Sequence, residues 1–557
     1  SAVRAPRHSQ AGRFGTVAVH RPAHLADAAA SASGTGPVSG PALERRSAWP
    51  VRLGYAYLAL PVGIFLVGWL EWWWLIPALA MLVVGFWRMW VEAPKVWVPS
   101  WSRRTLVVAV VVSVILAAGA VFTGIGAVSV QHGDHAWRNA IFEMLVTEPW
   151  PVVLDSEFGA IALTYYFGFW LPAALIGKAF GLAVGWAALL AWAWVGLAVF
   201  ACLVMSLMKR FAVWPIVVFA FFGGMDIVEK TIFGSTSDFA IPRTSVEWID
   251  SFHMYCYTAF GDQIITVFNQ SIPAWILTAL IITQRDGRSV VAFSALAAID
   301  SPLPLVGAVP IVLAWVISRP RASAKGGRAR LGERLRASVR EIITVQNVLI
   351  GLIGVVVFGA FYASNLNTAG PEFVMPQGWI DVARLGVFWV FEFVIMFGLV
   401  GREWRGSPLW WAALAVMMAL PLARLGAWND LAMRAVIPSQ VVVYLMVCWT
   451  LATAKRPWHS VQTALLTIVL ALGSGSVLHK VFYHTRADLA AIQLIADGAE
   501  WRVARETLAY RLAIPWSKNP TAQEYWPQYF GDINSFFYRD LSRASAPATD
   551  SQRLTDS

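Results

Sequence analysis

His132, Asp134, His135 and Arg138 lie within the seven residues His132-Gly133-Asp134-His135-Ala136-Trp137-Arg138. Those types at that spacing can accept a proton and hold a phosphate leaving group. The Asp134 carboxylate can act as general base toward an attacking hydroxyl, and the Arg138 guanidinium presents a planar fork that matches phosphate. The two imidazoles can tune that base or bind substrate. With Asp134 they can also help to hold a divalent cation, the one cofactor these ligand types suggest. A plainer role competes: Asp134 follows a glycine and precedes helical spacing over 136 to 145, where aspartate serves as an N-cap.

Two further polar groups could join this one. Asp430 and Arg434, preceded by Asn429, are four residues apart at the start of an apolar run. On a helix they share a face, either as a structural ion pair or as part of a binding site. The stretch 225 to 270 carries six acids against Lys230 and Arg243, and its Glu247, Asp250 and His253 complete the candidate donor- and substrate-binding set with His132, His135, Arg138, Asn429, Asp430 and Arg434.

The elements that must position these groups are hydrophobic. Of 557 residues, 58% are hydrophobic and 14% charged, with mean hydropathy +0.59, a balance outside the range of soluble domains. Apolar runs at about 54 to 70, 72 to 91 and 105 to 130, then 345 to 363, 379 to 400, 408 to 425, 433 to 452 and 460 to 478, are near the ~20 residues that cross a bilayer. Between 161 and 224 three apolar stretches occur. The 211 to 224 piece is short for a span, and the Tyr165 to Pro172 run reads as interfacial or re-entrant. The pieces on either side of Asp300-Ser301-Pro302-Leu303-Pro304 read as short helices meeting at a broken apex, which needs protein or a wet cavity around it.

The net charge of +10 is a topology signal rather than a nucleic-acid footprint. Seven arginines fall between Arg4 and Arg52, and eight basic residues between Arg319 and Arg340, as expected of cytoplasmic segments. The 319 to 344 segment, with Leu331, Leu335, Val339 and Ile342 at helical spacing, reads as an amphipathic surface helix. Residues 1 to 49 read as a disordered cytoplasmic tail, 50 to 479 as the membrane domain, and 480 to 557 as a small extracytoplasmic segment whose aromatic face (Tyr525 to Asp532, Phe536 to Tyr538) covers a site or docks on the membrane part. Parity then puts the loops 131 to 160 and 225 to 270 and the Asn429 turn on the outer side together. Three cysteines support neither a disulfide framework nor a thiolate metal site, and no Walker loop, dinucleotide fingerprint or nucleophile elbow is present.

The order Gly133-Asp134-His135-Ala136-Trp137-Arg138-Asn139, then Trp150-Pro151-Val152, then Tyr165-Tyr166-Phe167-Gly168-Phe169-Trp170-Leu171-Pro172, resembles multispanning glycosyltransferases of the GT-C class. It is more closely similar to a group of largely uncharacterised bacterial membrane proteins, through Phe268 to Trp275, Asn429 to Pro438 and Tyr529 to Asp532, with the likeness spanning about 105 to 540. The resemblance implies an all-α integral membrane fold. That fold would be a GT-C-like bundle of about 10–13 transmembrane helices with short re-entrant or broken helices and a small extracytoplasmic C-terminal segment. It further implies an inverting transferase of the bacterial plasma membrane. Such an enzyme would take a sugar from a polyprenyl-phosphate donor to a glycan or lipid acceptor, with a first-loop acid, here Asp134, as base. Many members carry two adjacent acids where this chain has Asp134-His135. A transporter or lipid-glycan flippase, favoured by the broken helices near Asp300, and a non-catalytic scaffold are the competing readings.

Overall fold

The computed structural model describes residues 45–131, 134–156, 159–228, 255–318, 331–367, 370–426, 429–454, 457–496 and 526–544. The chain is mostly helical, and among the described residues nine helices are long and apolar enough to cross a membrane. In order they are α1 (Trp49–Trp69), α2 (Trp72–Glu92), α3 (Arg103–Phe122), α6 (Leu182–Met208), α8 (Phe260–Thr283), α12 (Val345–Ala363), α13 (Trp379–Trp404), α15 (Asp430–Thr453) and the long stretch His459–Ala490. The last comprises α16 (Pro457–Gly473) and α17 (Gly475–Ala496). Between the spans lie α4 (His135–Thr147), α5 (Leu171–Phe180), α7 (Trp214–Ala220), α9 (Val290–Leu296), α10 (Pro302–Ser318), α11 (Leu331–Ile342) and α14 (Pro408–Ala419).

The three uncertain stretches between 161 and 224 resolve into one long span and two short pieces. The helix α5 turns at Gly181 (φ 94°) directly into α6, a hairpin that a left-handed glycine permits, while α7 has only seven residues. The boundary drawn at 479 and 480 is corrected: α17 runs through it, because its apolar faces continue past Lys480. The aromatic tail docks, as its composition suggested. Its strand β3 (Phe530–Asp532) adds to β2 (Gly159–Leu163), which pairs with β1 (Val153–Ser156) in one antiparallel sheet. Residues 1–44, 319–330 and 497–525 lie outside the described set, and with them most of the expected N-terminal tail and the first part of the basic segment.

Hydrogen bonds and a strand pairing mark two ends of the bundle. At one, Glu71 donates to Leu541 O (3.0 Å), Thr164 to Tyr529 O (2.9 Å) and Asp532 to Ser364 O (2.8 Å). At the other, Arg46 pairs with Trp97, Arg285 reaches Lys95 O (3.3 Å) and Asn347 binds Gly287 O (2.8 Å). The core helices are α8 and α15, whose most apolar windows are 89% and 83% buried, whereas α3 at 17% faces outward. Helix α8 is bent at Val267, which has non-helical φ and ψ, and Pro273 deprives the carbonyl of Asn269 of its usual amide. Such a break is tolerated where protein surrounds it.

Close helix approach rests on small residues. A Cβ added at Gly307 of α10 would run into the carbonyl of Ala435 of α15. Gly307→Ala is therefore expected to cost about 1–3 kcal/mol through overpacking, read as a lowered melting temperature in detergent.

Candidate functional site

Helix α4 starts at the end of the bundle where the tail docks. Asp134 occupies its N-cap position, but the side chain makes no capping hydrogen bond. The carboxylate instead lies 3.6 Å from Arg138 Nη1, with the aspartate side chain 51% exposed and the arginine 9%. Along one turn the acid is thus half-exposed and the guanidinium nearly buried.

The second acid–arginine couple comes from α15. Asn429, in the left-handed region (φ 52°), caps that helix through Oδ1, which accepts from Ala432 N (3.3 Å) and Leu425 N (3.4 Å). The cap starts the helix so that Asp430 and Arg434 share one face. Their Oδ1 and Nη1 form a close ion pair, with the arginine nearly buried. The Arg434 guanidinium carbon sits 5.8 Å from the centre of the Tyr166 ring.

Tyrosines join the two couples. Tyr165 packs on Tyr166 (3.7 Å between ring centres) and on Tyr529 (4.8 Å), and Tyr529 stacks on Trp137 (5.0 Å, 10°). The Tyr529 hydroxyl interacts electrostatically with Tyr166, Arg138, Asp430 and Asp134, and Tyr166 with Arg434, Asp430 and Arg138. Asp134, Arg138, Asp430 and Arg434 therefore surround one aromatic cage. Burial holds the Tyr165, Tyr166 and Tyr529 hydroxyls above their ordinary range, so at neutral pH they remain protonated donors. The tail is fixed there by Asn365, whose Nδ2 donates to Thr164 O and Gln528 O (2.9 Å each). Tyr538 adds a second tie, its hydroxyl 2.8 Å from Thr164 Oγ1.

The guanidiniums retain donor capacity. Among the described residues nothing accepts a hydrogen bond from Arg138 Nε or Nη1, or from Arg434 Nε. A buried donor without an acceptor costs about 1–3 kcal/mol, which an oxyanion entering the cage would relieve.

The other sequence candidates separate from this group. His135 is buried, with Nε2 2.8 Å from Ile265 O beside the α8 bend and Nδ1 3.4 Å from Gln131 Nε2. Both ring nitrogens thus face partners within the bundle. Asn429 acts through its oxygen as a cap. His132, Glu247, Asp250 and His253 lie outside the described residues. No group of three or more His, Cys, Asp or Glu able to hold a metal occurs among the described residues. Asp262, counted with the outer-loop acids, is instead fully buried in α8, 3.0 Å from Lys480 of α17. The loop boundary at 270 was too long because Asp262 and Gln263 lower the local hydropathy while packing supplies their partners. Sequence reasoning did not assign Tyr165, Tyr166, Tyr529 or Trp137 to the site. Their signal was the paired tyrosines just before Gly168 and a polar, tyrosine-rich tail.

No family model, curated protein or solved structure matches the chain.

Proposed function

We propose that the chain is a membrane glycosyltransferase of GT-C-like architecture, moving a sugar from a polyprenyl-phosphate donor to an extracytoplasmic glycan or lipid acceptor. The observation that carries this reading is the pair of buried guanidiniums, Arg138 and Arg434, that meet at one tyrosine cage with N–H groups no described residue accepts. A half-exposed carboxylate, Asp134, stands at its opening. In the reaction Asp134 takes the proton of the acceptor hydroxyl as its oxygen bonds to the anomeric carbon. The bond from that carbon to the phosphate oxygen breaks, and the departing electron pair stays on the phosphate, where Arg138, Arg434 and the tyrosine hydroxyls neutralise it. The basic residues at the opposite end of the bundle support an orientation with the N-terminus cytoplasmic and the C-terminus extracytoplasmic in a bacterial plasma membrane.

The test is transfer of label from a radiolabelled polyprenyl-phosphate sugar by the purified full chain. Arg434→Lys keeps a charge and loses the fork. One charged hydrogen bond is worth about 1.5–3 kcal/mol, so KM for the donor is expected to rise about tenfold or more with a smaller change in kcat. An unchanged KM removes Arg434 from the donor site.

One observation favours a transporter or flippase as the second reading: the buried Asp262–Lys480 pair beside a bent helix, since charges at membrane depth commonly mark transport paths. Label that crosses proteoliposomes intact, with no transfer product, would select it.

A further inference from the structure

Away from the tyrosine cage, an apolar groove of about 680 Å³ opens along α1 and α2, lined by Ala56, Gly63 and Gly68 on one side and Leu82 on the other, with Trp150 and Arg543 also in its wall. The distance from Ala56 to Gly68 along a helix is roughly 18 Å at 1.5 Å per residue, comparable to one leaflet of a hydrocarbon layer ~30 Å thick.

One end of the groove lies at headgroup depth. Trp72, Trp73 and Trp74 at the start of α2 are 65%, 51% and 46% exposed, as in an interfacial belt. Trp74 Nε1 donates to Asp540 O (2.9 Å), and Arg543 N donates to Trp69 O (3.0 Å), so the segment that carries Arg543 is tied to that belt. Among the described residues no acid is within ion-pair reach of Arg543. A second cation, Lys178, lies 5.2 Å from the Trp150 ring centre and bonds the Glu148 carbonyl.

We propose that this groove binds one chain of an anionic phospholipid, with its phosphate on Arg543. The site does not depend on the transferase reading. A guanidinium at phosphate depth above a leaflet-long apolar channel matches such a lipid in charge and in length. The polyprenyl donor is a poorer fit, because a wall of rings stands between. Trp150 packs on Trp69 (5.2 Å) and Trp69 on Phe167 (4.9 Å), and only beyond Phe167 come Tyr166 and Arg434.

Native mass spectrometry of the full chain in detergent, incubated with phosphatidylglycerol or with phosphatidylcholine of the same chains, tests this. One phosphatidylglycerol is expected to be retained in preference to phosphatidylcholine. Arg543→Gln, an exposed position, is expected to lower that retention about tenfold or more, the worth of a charged hydrogen bond. Gly63→Leu should lower it similarly by filling the channel. A Cβ there meets only the Leu82 side chain, at 3.8 Å, and an unchanged melting temperature without added lipid shows that the fold is kept. Equal retention of both lipids, wild-type retention by both variants, or displacement of phosphatidylglycerol by polyprenyl phosphate in the wild type would each overturn the assignment.

Discussion

Asp134→Asn is expected to lower transfer from the polyprenyl-phosphate sugar by about 10²–10⁴-fold, the range for loss of a positioned general base, with KM for the donor nearly unchanged. The substitution keeps the shape of the side chain, removes its capacity to take a proton and takes a negative charge from beside Arg138. Stability should stay within about 0.5 kcal/mol, as for other surface changes, because the Asp134 side chain is half-exposed and makes no capping hydrogen bond. Asp430 is the internal control. Its Asn variant takes away the counter-charge of the nearly buried Arg434, so it should lose stability as well as activity. If Asp134→Asn transfers at the wild-type rate in the same assay, Asp134 is not the base and the proposed mechanism fails at its first step.

The distinction between those two acids was open in the sequence, where each had a functional and a structural role. Their surroundings differ: Asp134 is half-exposed and loosely paired, whereas Asp430 is in a close ion pair. The i,i+4 spacing foretold the Asp430–Arg434 pair, since a helix fixes which residues share a face. The span 345 to 363 coincides with Val345–Ala363, and the 72 to 91 and 379 to 400 runs differ from their helices by a few residues at one end. Uninterrupted hydrophobicity over a bilayer's thickness is a local property and can be read locally. The tyrosine cage is a tertiary product: Tyr165 and Tyr529 meet only because the strand Phe530–Asp532 adds to Gly159–Leu163, a pairing of short strands with no periodic signature. The surroundings of His135 were hidden for the opposite reason. A histidine beside an aspartate has the composition of a site, yet its ring turns inward to the α8 backbone near a bend that the sequence announces only through Pro273.

The same limit hid Asp262, and its burial carries the largest stability effect expected in this protein. Its carboxylate is wholly buried and Lys480 nearly so, 3.0 Å apart, on α8 and α17. Lys480→Met retains the length of the side chain and leaves a carboxylate without its cation inside the bundle, which is expected to cost about 3–5 kcal/mol. Removing both charges should behave differently, because desolvation of the pair offsets much of its attraction. Asp262→Leu combined with Lys480→Met is expected to recover most of the loss, or to exceed wild type, in thermal unfolding in detergent. The activity of that double variant then separates two roles for the pair. Transfer retained at the wild-type level makes it a strut that sets how α8 packs on α17, whereas loss of label flux in a stable double variant makes it part of a transport path. A single variant as stable as the wild type would mean that Asp262 does not carry an uncompensated charge when Lys480 is gone, and the argument from burial would fall with it.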